Sequence, residues 1–127
     1  MILDSSAIVA ILLEEPGRER LVERVSSTAA AVGAPTLAEA GMVLSSRLGR
    51  DARPLLSTFL RRAEVEIIPF REEHWEAALD AFQRFGKGRH PAALNMGDCL
   101  AYAVASVAAL PLLFKGEDFT KTDIPAA

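Results

Sequence analysis

Apolar positions recur along this chain with two spacings, and the two alternate. Short apolar runs at Ile2-Leu3, Ala29 to Ala34 and Pro111 to Phe114, and Val65 to Phe70 with only Glu66 interrupting it, have the length and character of strands. Between them, apolar residues return every three or four positions, as one face of a helix requires. Ile8, Val9, Ile11, Leu12 and Leu13 follow the first strand, with Ser5 or Ser6 in position to cap their helix. Gly17 to Ser26 is charged but spaces Leu21, Val22 and Val25 for one side, and Thr36 starts a further helix after Pro35 ends the second strand. Asp51 to Ala63, with Pro54 in its first turn, predicts another helix. Glu72 to Phe85, with Trp75, Ala78, Leu79 and Phe82 on one side, predicts the next, and Gly86 ends it. A loop then reaches Leu94, and Met96 to Ala108 is a helix of small residues. Strands alternating with helices predict an α/β fold whose parallel sheet is covered on both faces.

Composition narrows this picture. A chain of 127 residues, half of them hydrophobic, fits one domain spanning residues 1–127 with a real core. The single cysteine, Cys99, has no internal disulfide partner and suits a reducing compartment. Met1-Ile2-Leu3-Asp4 does not read as a signal peptide, and the longest apolar stretch, Cys99 to Phe114, is broken by Pro111 and too short to span a membrane. A soluble, cytoplasmic protein is expected. The formal net charge of −3 argues against a nucleic-acid partner, which normally selects a basic surface. Setting aside four acids that a cation would neutralise turns −3 into +1, so RNA or DNA is permitted.

Those four acids are Asp4, Glu39, Asp98 and Asp118, each at the end of a predicted strand or the start of a predicted helix. In a parallel sheet ligands bind beyond the carboxyl ends of the strands, and right-handed crossovers bring all four positions to that edge. Carboxylates gathered at one point repel one another, and a hard divalent cation such as magnesium is the usual reason to keep them together. No histidine or cysteine pair has zinc spacing. Each acid also has a bland reading. Thr36 to Glu39 fits a capping box, Asn95 to Asp98 fits an asparagine cap with an acid favoured by the helix dipole, Asp4 suits a turn, and Asp118 suits a loop. Their joint occurrence favours the metal site. Ser6 and Asn95 lie beside the proposed ligands, as orienting partners or as helix caps. Lys87, Arg89 and Lys115, with Arg84, His90 and Lys121, are the basic residues nearest the acids in chain order and are candidates to touch phosphate. Cys99 reads as inert core, and the Trp75, Leu79 and Phe82 stripe as core or interface packing.

Met1 to Ala7, Glu39 at a helix start, Asn95 to Ala103, and Leu112 to Phe119 resemble, in this order, the PIN domain, specifically a VapC-type toxin of a bacterial toxin–antitoxin pair. Gly86-Lys87-Gly88-Arg89-His90 adds to the likeness, which spans nearly the full chain. The resemblance implies a three-layer α/β/α fold with a mostly parallel sheet. It also implies a magnesium-dependent endoribonuclease, with manganese as a substitute, that hydrolyses RNA and so inhibits translation and growth. It carries over to Asp4, Glu39 and Asp98; Asp118 matches the fourth acid, with Glu117 as its rival. It implies a homodimer and a cognate VapB-type antitoxin, and a transfer or ribosomal RNA loop as target. Two other functions fit the same residues: a PIN-like module that binds RNA or protein without cutting, and a metal-dependent hydrolase of other phosphodiesters.

Overall fold

Three of the four strands are apolar at every position, so their two faces are distinguished by what covers each. In the computed structural model, which describes residues 1–127, β1 (Ile2–Leu3), β2 (Ala31–Gly33), β3 (Glu66–Ile68) and β4 (Leu112–Leu113) form one sheet in the order β3-β2-β1-β4. All three strand pairings are parallel, with Ile2 opposite both Ala31 and Leu112. Leu3, Val32 and Leu113 face a core built with α1 (Ser5–Leu12), α2 (Arg18–Ser27), α3 (Ala34–Leu48) and α4 (Arg53–Arg62). Ile2, Ala31 and Leu112 face a second core built with α5 (Glu72–Phe85) and α6 (Met96–Ala108). The period-two alternation of side chains thus divides one apolar sheet between two helical layers, giving the α/β/α sandwich expected.

The spans of α5 and α6 match the periodicity from which they were predicted. Three local details differ from the expectation. Pro35 does not end the second strand; α3 already begins at Ala34, with Pro35 in its first turn, where a missing N–H costs no hydrogen bond. Asp51 lies outside α4 and instead accepts from the Arg53 amide at 2.9 Å, while Pro54 does occupy the first turn. The buried side of α5 is His74, Ala78, Ala81 and Phe85, so Trp75 and Leu79 stay 53% and 50% exposed on the shoulder of that face.

Both sheet edges are managed. The β3 edge is short and places Glu66 and Ile67 at the surface. At the β4 edge the C-terminal segment lies alongside, Leu112 N–H donating to Pro125 O at 2.8 Å and Ala127 N–H to Leu112 O at 2.9 Å. Asp123 anchors that segment by accepting from Tyr102 Oη and from Arg84, each at 2.7 Å.

Candidate active site

The chain turns from β1 into α1 at Asp4, which is itself the N-cap, in place of the Ser5 or Ser6 expected there. Its Oδ2 accepts from the Ser6 amide at 3.0 Å and from Ser6 Oγ at 2.5 Å. Ser6 Oγ in turn accepts from the Lys115 amide at 3.0 Å, tying Asp4 to the segment that leaves β4. Asp4 is 3% exposed, and its other oxygen, Oδ1, is buried with no hydrogen-bond partner. A buried carboxylate oxygen left unpaired is costly unless something else meets it.

Glu39 comes from the second turn of α3. A capping box with Thr36 is not formed: Gly33 is the N-cap, Thr36 lies inside the helix, and the Thr36 hydroxyl is buried without a partner. Glu39 reaches across instead to α1, where its Oε1 accepts from Ser5 Oγ at 2.5 Å.

Asp98 occupies the third position of α6. Here the capping reading does hold, since Asp98 Oδ2 accepts from the Asn95 amide at 3.0 Å and Asn95 Oδ1 from the Asp98 amide at 2.9 Å. Capping does not remove the carboxylate from its acidic neighbours. Burial pushes Asp98 up to about 6, and the charges of Asp4, Asp118 and Glu39 push the same way against the Asn95 bond. Asp4 is raised as well, by burial first and by Glu39, with the Ser6 bonds opposing. Asp118 is exposed, in a 3₁₀ turn (Asp118–Lys121) where Thr120 Oγ1 donates back to Glu117 O at 2.6 Å, and its charge is among those that raise Asp98. The four predicted acids therefore share one edge of the sheet, at the carboxyl ends of β1 and β4, the second turn of α3 and the first turn of α6.

They share it loosely. No three of the chain's carboxylates, imidazoles and thiol stand close enough to grip one ion directly. Magnesium keeps several of its waters, so an oxygen-only donor set that includes a buried, unpaired Asp4 Oδ1 fits such a cation.

The expected phosphate contacts divide. Lys87 and Arg89 are exposed in the loop after α5, with the Arg89 guanidinium 5.1 Å from the centre of the Phe82 ring. Lys115 is paired with Glu15 at 3.1 Å, and Arg84 with Asp80 and Asp123. His90 accepts from the Ala92 amide at 3.0 Å and packs edge-on against Phe85, a structural role. Cys99 is buried, its thiol pushed up to about 11 by burial and by Asp98, and is inert as expected. Sequence reasoning missed two residues at this edge, Ser5 and Gly97. Ser5 was read only as a cap, and no signal marked Gly97: a Cβ there would collide with the Glu39 carboxylate.

The PIN domain family model matches residues 1–125. The chain belongs to the PIN domain family. A ribonuclease VapC from Mycolicibacterium smegmatis is 42% identical over 127 residues, covering 99% of this chain and 98% of the relative. Ribonuclease VapC30 of Mycobacterium tuberculosis is 39% identical over 98% of this chain and 95% of its own length. Among solved structures, Mycobacterium tuberculosis VapC20, described as a sarcin–ricin loop cleaving toxin, superposes with a TM-score of 0.75 at 16% identity over 99% of this chain and 97% of that one. VapBC2 of Rickettsia felis, bound to a DNA fragment from its promoter, gives 0.72 at 19% identity over 98% and 92%. At such identities the structures speak for the PIN fold alone. A concavity of about 900 Å³ lies elsewhere on this PIN domain, lined by Ile11, Leu12, Val22, Leu55 and Phe59 and by none of the four acids. No helix is long and apolar enough to cross a membrane.

Proposed function

We propose that this PIN domain is a magnesium-dependent endoribonuclease, the toxin of a VapBC-type toxin–antitoxin module, cytoplasmic, and acting by cutting RNA to stop translation and growth. The observation that carries the reading is the convergence of Asp4, Glu39, Asp98 and Asp118 from four separate segments on one sheet edge, with Asp4 Oδ1 buried and unpaired. Relatives about 40% identical over nearly their whole length are named VapC ribonucleases, which supports an RNA substrate.

Asp4, Glu39 and Asp98 would hold the cation, and exposed Asp118 would act through water, with manganese able to replace magnesium. Charge for the scissile phosphate and acidity for a water are what that cation supplies when bound. A carboxylate of the cluster takes a proton from the attacking water, and both Asp98, pushed up to about 6 by burial, and Asp4, also raised by burial, hold protons more tightly than a free carboxylate in the metal-free chain. Ser6, held by Lys115 N–H, fixes the orientation of Asp4. Lys87 and Arg89, exposed beside the site's end of α5, contact the phosphate backbone, and a structured transfer or ribosomal RNA loop is the substrate class. Attack by water leaves a 5′-phosphate and a 3′-hydroxyl.

The partners follow from the same likeness. A VapB-type antitoxin is the cognate inhibitor, and toxin–antitoxin complexes from Klebsiella pneumoniae and Rickettsia felis share the fold. Trp75, Leu79 and Met42, at 53%, 50% and 71% exposure, are apolar surface that a homodimer would cover.

A second reading is favoured by one observation. The acids do not close on an ion directly and Asp98 is engaged in a helix cap, as suits a module that binds RNA or protein without cutting. Calorimetric titration with manganese, paired with cleavage assays on structured RNA, single-stranded DNA and a small phosphodiester, separates the readings. Tight manganese uptake with cleavage of RNA alone supports the ribonuclease. Absence of uptake supports the binding module, and cleavage of all three substrates a general phosphodiesterase.

A further inference from the structure

The Glu39 carboxylate occupies a slot whose two walls neither helix capping nor backbone conformation explains. On one side Ser5 Oγ donates to Oε1 at 2.5 Å. Ser5 has no capping duty, because Asp4 caps α1. On the other side is Gly97, where a Cβ would collide with both carboxylate oxygens and with the carbon between them. Gly97 is not in the left-handed region and lies in the first turn of α6, where alanine is the better helix former. The absence of a side chain at 97 therefore serves Glu39.

The slot joins the beginnings of α1, α3 and α6 through three side-chain positions that are distant in sequence. Glu39 lies among like charges: it raises the proton affinity of both Asp4 and Asp98. A long, flexible carboxylate in that field turns out to water unless something holds it. A charge-assisted hydrogen bond from a hydroxyl and a close-fitting wall do so.

We propose that Ser5 and Gly97 are positioning residues that clamp the Glu39 carboxylate between α1 and α6, presenting it as a fixed oxygen donor to a divalent cation. The inference rests on the nuclease reading and deepens it.

Gly97→Ala is made in the native chain and in a Glu39→Ala background, alongside Ser5→Ala and Ser5→Thr. Thermal midpoints are read in EDTA, so that no cation enters. In the Glu39→Ala background Gly97→Ala raises the midpoint, as alanine in a helix should; with Glu39 present the new methyl must push the carboxylate aside, and that gain shrinks or is lost. A shift of the same sign and size in both backgrounds overturns the slot. Manganese affinity is then measured by calorimetry without RNA. Gly97→Ala weakens binding tenfold or more, towards the level of Glu39→Ala, and adds nothing to it in the double variant. Ser5→Ala falls between, and Ser5→Thr restores binding. Undiminished affinity in Gly97→Ala overturns the positioning role. A native chain that takes up no manganese overturns the nuclease reading and this role with it, while the EDTA cycle still decides separately whether the slot exists.

Discussion

Replacing Asp98 with asparagine should make the metal-free protein more stable at neutral pH while abolishing its proposed activity. The carboxylate is raised from 3.8 to about 6 by burial and by the charges of Asp4, Asp118 and Glu39. A group raised in this way binds its proton more tightly folded than unfolded, so its contribution is full below the unfolded value and is lost as pH rises through about 6. At about 1.36 kcal/mol per pH unit the charged form costs at most ~3 kcal/mol at pH 7. Asp98 is only partly shielded from water, and screening reduces this to ~1 kcal/mol. Asparagine keeps an acceptor for the Asn95 amide, so the cap survives and the charge alone is removed. The expected gain of ~1 kcal/mol corresponds to a rise of roughly 3–5 °C in melting midpoint for a domain of this size. Melting in EDTA should show that rise at pH 7 to 8 and its disappearance by pH 4. A variant less stable than the native chain at pH 7, or a difference independent of pH, would refute the electrostatic account of this edge.

The other expectations concern different parts of the molecule. Gly33→Ala should destabilise by ~1–3 kcal/mol in urea melts, since its Cβ would lie 2.8 Å from Val104 Cγ2 in the packed core. Asp123→Ala should cost ~1 kcal/mol by releasing Tyr102 and Arg84 from the C-terminal segment, with RNA cleavage unchanged at saturating substrate. Trp75→Glu should lower the apparent mass in light scattering while leaving the melting midpoint within ~0.5 kcal/mol of native, because Trp75 lies outside the core; an unaltered mass would remove Trp75 from any dimer contact. Lys87→Ala with Arg89→Ala should weaken RNA binding and flatten its salt dependence, and an unchanged salt slope would take both away from the backbone.

What periodicity could reveal here depended on how local the determinant was. The α5 and α6 spans follow from apolar spacing and from Asn95 as a cap, interactions made within one helix. The parallel sheet follows from apolar runs too short and too uniform for surface strands, and from it the shared edge of Asp4, Glu39, Asp98 and Asp118. The start of α3 was misplaced because Pro35 suits both a strand end and a first helical turn, and only the packing of Val32 and Ala40 in the same core chooses. Trp75 and Leu79 were grouped with Ala78 because helical spacing specifies a stripe without its centre; the depth available over α6 admits His74, Ala78, Ala81 and Phe85 instead. Ser5 and Gly97 could not be read at all, since their meeting with Glu39 joins three elements and obeys no local rule.

The central claim is that the carboxylates gathered at the carboxyl edge of the sheet direct water onto an RNA phosphodiester with the help of a divalent cation. Mapping RNA ends after incubation with the native chain, with Asp4→Asn, and with the native chain in EDTA tests it most directly. The account predicts discrete 5′-phosphate and 3′-hydroxyl ends with the native chain and magnesium, and none in the other two reactions. Ends that persist in Asp4→Asn, or that carry 2′,3′-cyclic phosphate, would contradict it.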